Sequence, residues 1–321
     1  MPEKNKVYRA RIQGYTSEGL GVARIDGQAV FVHQALRGEE CDILILKVLK
    51  NAAFGKAVRV YEPSPHRVEP DCPYYGRCGG CDFRHMDRAE ELAAKRQRVQ
   101  DALARIGGSA VTVESIDGGE PLHYRNKSQY PVAADGSVGF YKARSHQVIP
   151  VERCRIQKPQ ADAAAQALRT YLRLYGVSCY DEKTRRGLVR YLYVRTNGAG
   201  QSLLCVLVNG KKLPHERELV DLLRQAVPET VGVVLGVNTQ PTGAVLGQEY
   251  RTLWGADVLT DTLCGLTFRL SVPSFYQVNR EMAEVLYRRA VEFAGLTGTE
   301  TVLDLYCGAG TITQVMARHA G

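Results

Sequence analysis

Along residues 7–60 apolar and polar positions alternate in short segments, at 8–12, 21–25, 29–32, 41–46 and 55–60, punctuated by Gly14, Gly19, Asp26-Gly27 and Arg37-Gly38. An alternation of period two puts one face of each segment in a core and the other in water, so five short strands are predicted. Such strands, joined by glycine turns, are expected to close into a small barrel, because closure removes exposed edges. Pro63, Pro65 and Pro70 mark a linker. Over 86–106 the period becomes helical: Leu92, Val99, Leu103 and Ile106 form one stripe, Lys95, Arg96, Arg98 and Arg105 fall largely outside it, and Gly107-Gly108 supplies the stop.

Residues 111–154 and 188–268 read as strand-rich, interrupted by helices near 161–175 and 213–227. A hairpin is predicted where Thr196-Asn-Gly-Ala-Gly-Gln201 separates Tyr191-Leu-Tyr-Val-Arg195 from Ser202-Leu-Leu-Cys-Val-Leu-Val208. A last helix, 280–294, with Met282, Val285, Leu286, Ala290 and Phe293 on its apolar face, leads into Thr301-Val-Leu-Asp-Leu-Tyr-Cys-Gly-Ala-Gly-Thr-Ile312. There Val302, Leu303 and Leu305 suit a buried parallel strand, Gly308 and Gly310 let backbone approach a ligand, and Thr311 starts a helix. Asp304 falls at the strand's carboxyl end, where open α/β sheets bind ligands. Ordinary strand-to-helix turns also carry a Gly-x-Gly, so this motif alone does not define a site.

With 321 residues, 45% of them hydrophobic, the chain can bury more than one core. Its formal charge of +8 favours an anionic partner, and a solvated basic surface is the plainer alternative. Residues 271–321 hold four Lys/Arg against five Asp/Glu, so the basic excess lies upstream. No apolar run is long enough to span a bilayer and the first residues lack a signal-peptide core; the chain is expected to be cytoplasmic, with no membrane partner. In a reducing compartment the nine cysteines are unpaired, and clustered ones become candidate metal ligands.

One cluster exists: Cys72-x5-Cys78-x2-Cys81, in a turn-rich loop whose glycines let backbone wrap around an ion. Iron–sulfur clusters take four cysteine ligands and often draw one from far away, which makes Cys154 the candidate fourth. Arg77, Arg84, Arg153 and Arg155 offset the charge of gathered thiolates. Zinc and unligated thiols stay open as alternatives, although structural zinc sites usually pair two ligand couples and only one close couple is present. Cys205 lies in an apolar strand and reads as a small hydrophobe; Cys41, Cys179 and Cys264 are isolated, and Cys307 sits in the glycine turn.

Taken in order, these pieces resemble the RNA uridine C5-methyltransferases, in particular their iron–sulfur-containing bacterial 23S ribosomal RNA branch. The likeness runs from about Lys6 to the end. Gly19-Leu-Gly-Val-Ala-Arg-Ile-Asp-Gly27 and Val30-Phe-Val32 resemble the family's TRAM barrel; His123-Tyr-Arg-Asn-Lys127 and Gly139-Phe-Tyr-Lys-Ala-Arg144 resemble its central-domain motifs. Ser274-Phe-Tyr-Gln-Val-Asn279 and Asp304-Leu-Tyr-Cys-Gly-Ala-Gly310 resemble its S-adenosylmethionine motifs. Radical S-adenosylmethionine enzymes with TRAM domains are disfavoured, because they use Cys-x3-Cys-x2-Cys and carry TRAM at the other end.

The resemblance implies three parts: an OB-like TRAM β-barrel at 1–62, a central α+β RNA-binding domain with the iron–sulfur site at 63–270, and the start of a Rossmann-like α/β methyltransferase domain at 271–321. It implies a 4Fe-4S cluster on Cys72, Cys78, Cys81 and Cys154, structural or RNA-positioning in role. S-adenosylmethionine would meet Gln277, Asp304, Tyr306, Gly308, Gly310 and Thr311. Arg125 and Lys127 are candidates for RNA phosphate, and Tyr74 and Tyr75 for base stacking or packing around the cluster. The implied reaction methylates carbon 5 of a uridine in 23S ribosomal RNA, with no DNA partner. A cysteine thiolate adds to carbon 6, carbon 5 takes the methyl group, and a general base then removes the carbon-5 hydrogen. In the family the nucleophile and base lie well downstream of the glycine turn. The expectation is therefore an incomplete methyltransferase domain, no catalytic residue in this chain, and no turnover by it alone. A non-catalytic iron–sulfur or zinc RNA-binding protein is the alternative.

Overall fold

The structure, a computed structural model, describes residues 1–247 and 249–321; position 248, inside the second strand-rich stretch, lies outside them. Its backbone divides into two compact units, 1–118 and 119–321. In the first, the alternating segments form β1 (Val7–Arg11), β2 (Gly14–Tyr15), β3 (Gly21–Ile25), β4 (Gln28–His33), β5 (Glu40–Val48) and β6 (Ala52–Glu62). The sheet order is β1-β5-β6-β4-β3-β2, antiparallel except where β4 runs parallel to β6. It curls around one core of Ile12, Ala23, Val30, Val32, Ile43 and Ile45, with Tyr8 and Ala10 of β1 packed on it. The two-residue β2 was not expected. It forms because Gln13 N–H donates to Val22 O at 2.7 Å, which carries the chain from β1 directly onto β3.

Glu39, at the start of β5, is wholly buried and holds the linker to the barrel. Arg67 donates to both its carboxylate oxygens, at 2.5 and 2.6 Å, and the amides of Leu36 and Ser64 donate at 2.8 and 3.2 Å. Burial pushes this carboxyl up, but Arg67 and the two amides outweigh burial and its pKa is lowered. Helix α1 (Arg88–Asp101) begins at Asp87, whose side chain accepts from Glu90 N–H at 2.9 Å, and runs on into a π-helical turn, Ala102–Ile106. The expected apolar stripe does not face the core: Val99 is 51% and Ile106 88% exposed. The helix is fastened instead by buried Glu90, which accepts from Tyr15 Oη at 2.7 Å and Arg37 at 3.1 Å. Polar anchoring at one end overrides the periodicity of the other.

In the second unit, β7 (Lys127–Pro131), β10 (Val189–Thr196), β11 (Ser202–Val208), β12 (Thr230–Val237) and β13 (Glu249–Gly255) form a sheet of order β13-β12-β11-β10-β7. A small pair, β8 (Gly139–Tyr141) and β9 (Val148–Pro150), stands apart. The hairpin forms as expected, Arg195 opposite Leu203. Every residue of β10 and β11 is buried, because both sheet faces are covered. On one side lie α2 (Pro159–Leu174) and α3 (Glu216–Ala226), the latter bridging parallel β11 and β12. On the other lies a smaller cluster that includes Leu259, from the hairpin of β14 (Val258–Leu263) and β15 (Leu266–Ser271), and Val272 just after it. Residues 107–124 form no strand, against the expectation for 111 onward.

Glu39→Gln should lower the unfolding free energy of the first unit by about 2 kcal/mol at pH 7, since it leaves Arg67 facing a neutral group in a buried site. The carboxyl is depressed, so its stabilisation is present above the ordinary value of 4.5 and is lost as pH falls through the folded value. Chemical denaturation from pH 7 to pH 3 should show the gap between the two proteins closing below pH 4.5.

Candidate functional site

Helix α4 (Arg280–Ala294) starts where Asn279 Oδ1 accepts from Met282 N–H at 3.1 Å, and it ends at Gly295, left-handed at φ 58°. The strand expected at 302–305 is not formed. These residues are irregular, with Leu303 79% and Leu305 69% exposed, and among the described residues no strand pairs with them to complete a ladder. The glycine turn itself is present. Tyr306, Gly308 and Gly310 all take left-handed φ, of 63°, 57° and 67°, and Gly310 N–H donates to Cys307 O at 2.9 Å. Nothing lies within 4 Å of where a Cβ on Gly308 would sit, so the space above that backbone is open.

Thr311 opens α5 (Thr311–Met316), and its hydroxyl is 2.7 Å from that of Tyr287 on α4. Thr313 donates to Asp304 Oδ2, which occupies one carboxylate oxygen of that half-buried residue. Val315 is buried with Leu263, Leu270, Tyr276, Ala283 and Tyr287. The expected apolar face of α4 is thus rotated: Ala283 and Tyr287 are inside, while Leu286 and Phe293 are exposed. Tyr306 stands fully in solvent instead of lining a pocket.

Gln277 sits on the segment 274–279, which is pinned from two sides. Asn126 Nδ2 donates to Gln277 O at 2.9 Å, Asn126 N–H to Val278 O at 2.8 Å, and Arg195 Nη2 to Ser274 O at 2.5 Å. The structure therefore brings together two motifs more than 140 positions apart, 123–127 and 274–279. Tyr276, between the pinned residues, shares a small core with Val315, so Gln277 and the helix after the glycine turn are held by one cluster. Sequence reasoning missed Arg195 and Asn126. Their signal was a charged and an amide residue set in otherwise strand-like runs, where each had to have a buried partner.

Burial first, then Arg195 and Arg125, lower the Lys127 pKa. Segment 154–158 runs alongside 123–125: His123 N–H donates to Arg155 O and Arg125 N–H to Ile156 O, both at 2.9 Å. Cys154 N–H donates to Asp162 Oδ2 at 2.8 Å, and Tyr130 donates to Asp162 Oδ1 at 2.8 Å. In the other unit, burial raises the Cys78 thiol, with Cys72 nearby adding to the shift, and Arg84 feels both Cys81 and Cys72. Tyr75 is committed to packing: its hydroxyl donates to Asp82 O at 2.8 Å and lies 2.5 Å from Nδ1 of buried His85, whose pKa burial pushes down to about 4. The loop thus has the thiols and cations that a metal group needs. Among the described residues, no three His, Cys, Asp or Glu side chains converge closely enough to hold a metal ion.

Residues 3–58 match the TRAM domain family. A protein named as an RNA methyltransferase in Clostridium tetani is 41% identical over 99% of this chain and 70% of its own length. Another, from Halalkalibacterium halodurans, is 40% identical over the same shares. The chain belongs to this RNA methyltransferase family. The tRNA (uracil-54, C5)-methyltransferase of Pyrococcus abyssi, solved with S-adenosyl-L-homocysteine, superposes with a TM-score of 0.75 at 22% identity, covering 97% of this chain and 71% of that one. The fold is therefore a methyltransferase fold preceded by a TRAM domain.

Asn126→Ala should cost about 1–2 kcal/mol locally by leaving the Gln277 carbonyl without its donor. Hydrogen exchange across 274–279 should then quicken about tenfold while β11 stays protected.

Proposed function

We propose that this chain serves S-adenosylmethionine-dependent methylation of carbon 5 of a uridine in 23S ribosomal RNA. The observation that carries the proposal is the joining of the 123–127 and 274–279 motifs by Asn126 and Arg195, on one core with the helix after the glycine turn. The +8 charge and the TRAM barrel support an RNA substrate. S-adenosylmethionine supplies a methyl group on a sulfonium. Gln277 and the turn from Asp304 to Thr311, with Tyr306, Gly308 and Gly310, would hold it, the open space above Gly308 admitting its amino-acid end. The uridine must be unstacked or single-stranded to be reached. Carbon 5 becomes nucleophilic only when a thiolate adds to carbon 6; after methyl transfer a base takes the carbon-5 proton and the thiolate leaves.

By the family resemblance, none of the nine cysteines sits in the nucleophile's sequence context. Burial pushes the thiols of Cys41, Cys179, Cys205 and Cys264 up, away from the thiolate. By the family resemblance, Cys72, Cys78, Cys81 and Cys154 would be the ligands of a 4Fe-4S cluster, which would commit their thiolates. The second reading is a non-catalytic RNA-binding protein with an iron–sulfur or zinc site; the raised thiols of Cys41, Cys179, Cys205 and Cys264 and the TRAM match favour it.

Purified residues 1–321 should contain about four iron and four acid-labile sulfide. They should bind 23S fragments with an affinity that falls steeply with salt, and transfer no methyl group from labelled S-adenosylmethionine. Zinc without sulfide would replace the cluster assignment. Preference for transfer RNA would move the target, and methyl transfer would place a nucleophile among these cysteines.

A further inference from the structure

In the second unit, the loop that follows β8 and the loop at 180–187 face each other and enclose a cavity of about 440 Å³. That is within the ~300–1,000 Å³ of small-ligand sites. A second cavity of about 240 Å³ shares the walls formed by His146, Tyr180, Glu182 and Arg190. The larger cavity is lined by aromatic groups, Tyr141, His146, Tyr180 and Tyr191, around the carboxylate of Glu182. The Tyr141 hydroxyl is 3.1 Å from that of Tyr191 and donates to Glu182 Oε1 at 3.3 Å, while His146 Nδ1 is 2.9 Å from Oε2.

Arg190 makes the base of the site rigid. It is only 3% exposed, lies over the Tyr180 ring at 4.3 Å, and donates through Nη1 to Asn238 O at 2.8 Å and Gln240 O at 2.9 Å. Its Nε is buried with no hydrogen-bond partner among the described residues. Lys183 lines the larger cavity and Arg185 the smaller, and the same two loops carry Lys142, Arg144 and Arg186, all exposed. The only acidic residues on these two loops are Asp181 and Glu182. Asp181 accepts from Lys183 N–H at 2.8 Å, so its side chain shapes the loop.

Flat aromatic walls, an anchored carboxylate and the cations of these loops match a nucleobase with its flanking phosphates. We propose that this cavity receives a splayed-out guanine of single-stranded RNA, distinct from the uridine that is methylated. Each Glu182 oxygen keeps a lone pair beyond its bond to Tyr141 or His146. Guanine presents two adjacent donors, N1–H and N2–H, to such a carboxylate, whereas uracil, adenine and cytosine each present one position bearing donors. The assignment rests on the RNA-substrate reading and adds a second base to it.

The test measures fluorescence anisotropy of residues 1–321 with two RNA 12-mers that differ only in guanine replaced by adenine. The wild type should bind the guanine oligomer about tenfold tighter, and Glu182→Gln should erase that preference while binding the adenine oligomer as before, which also reports an intact fold. Ultraviolet crosslinks should map to peptides containing Tyr141 or Tyr180. Equal wild-type affinity for both oligomers, or a preference surviving in Glu182→Gln, overturns the pocket and leaves the RNA reading standing. No binding to either oligomer overturns both.

Discussion

A guanidinium almost wholly removed from water, that of Arg195, sets the arrangement of the second unit. It is 2% exposed, and desolvating such a charge costs several kcal/mol unless its donors are met. Nε finds Tyr193 Oη at 2.8 Å on its own strand and Nη2 finds Ser274 O at 2.5 Å, while Nη1 is buried with no partner among the described residues. The second partner lies far along the chain, so the segment carrying Gln277 has to come to this edge of the sheet for the charge to be tolerated. Asn126 repeats the requirement one strand away. The irregular segment that carries Gln277 is thereby tied to a strand that is buried along its whole length.

The same logic fixes the turn between β10 and β11. Asn197 Oδ1 accepts from Ala199 and Gln201 amides at 3.0 and 2.8 Å, and Asp261 accepts from Gly198 N–H at 3.0 Å. Arg280, at the first position of α4, lies 3.6 Å from Asp261 and donates to Thr262 O at 2.8 Å. Hairpin turn, β14 and the start of α4 are thus tied by one carboxylate and one guanidinium. Buried polar groups hold these elements where apolar packing alone would leave their relative register free.

Much of this was legible in the sequence where one local rule governs. The β10–β11 hairpin follows from alternation plus Asn197-Gly198, and α4 runs from Arg280 to Ala294 as its period and the Asn279 cap require. The errors came where a distant partner decides. A run such as Val302-Leu303-Asp304-Leu305 has strand composition, but a strand exists only with a neighbour, and among the described residues none pairs with it. The stripe through Val99 and Ile106 has helical period, yet Glu90 bonds at the other end determine which face meets the barrel. For the candidate site, the glycines and Thr311 were readable from backbone rules, while the Asn126 and Arg195 contacts that position Gln277 were not, since no local pattern encodes a bond across 151 positions.

The glycine turn shows how a loop can be held and still remain receptive. Its downstream side is fixed by the Tyr287 and Thr311 hydroxyls, by Thr313 on Asp304, and by Val315 in the core. On its upstream side Leu303, Leu305 and Tyr306 are exposed, and Tyr306 and Gly308 hold left-handed φ without crowding above Gly308. A left-handed tyrosine is costly where no glycine relieves it, so a conformation of this kind persists only when its surroundings impose it. Here they impose it from one side.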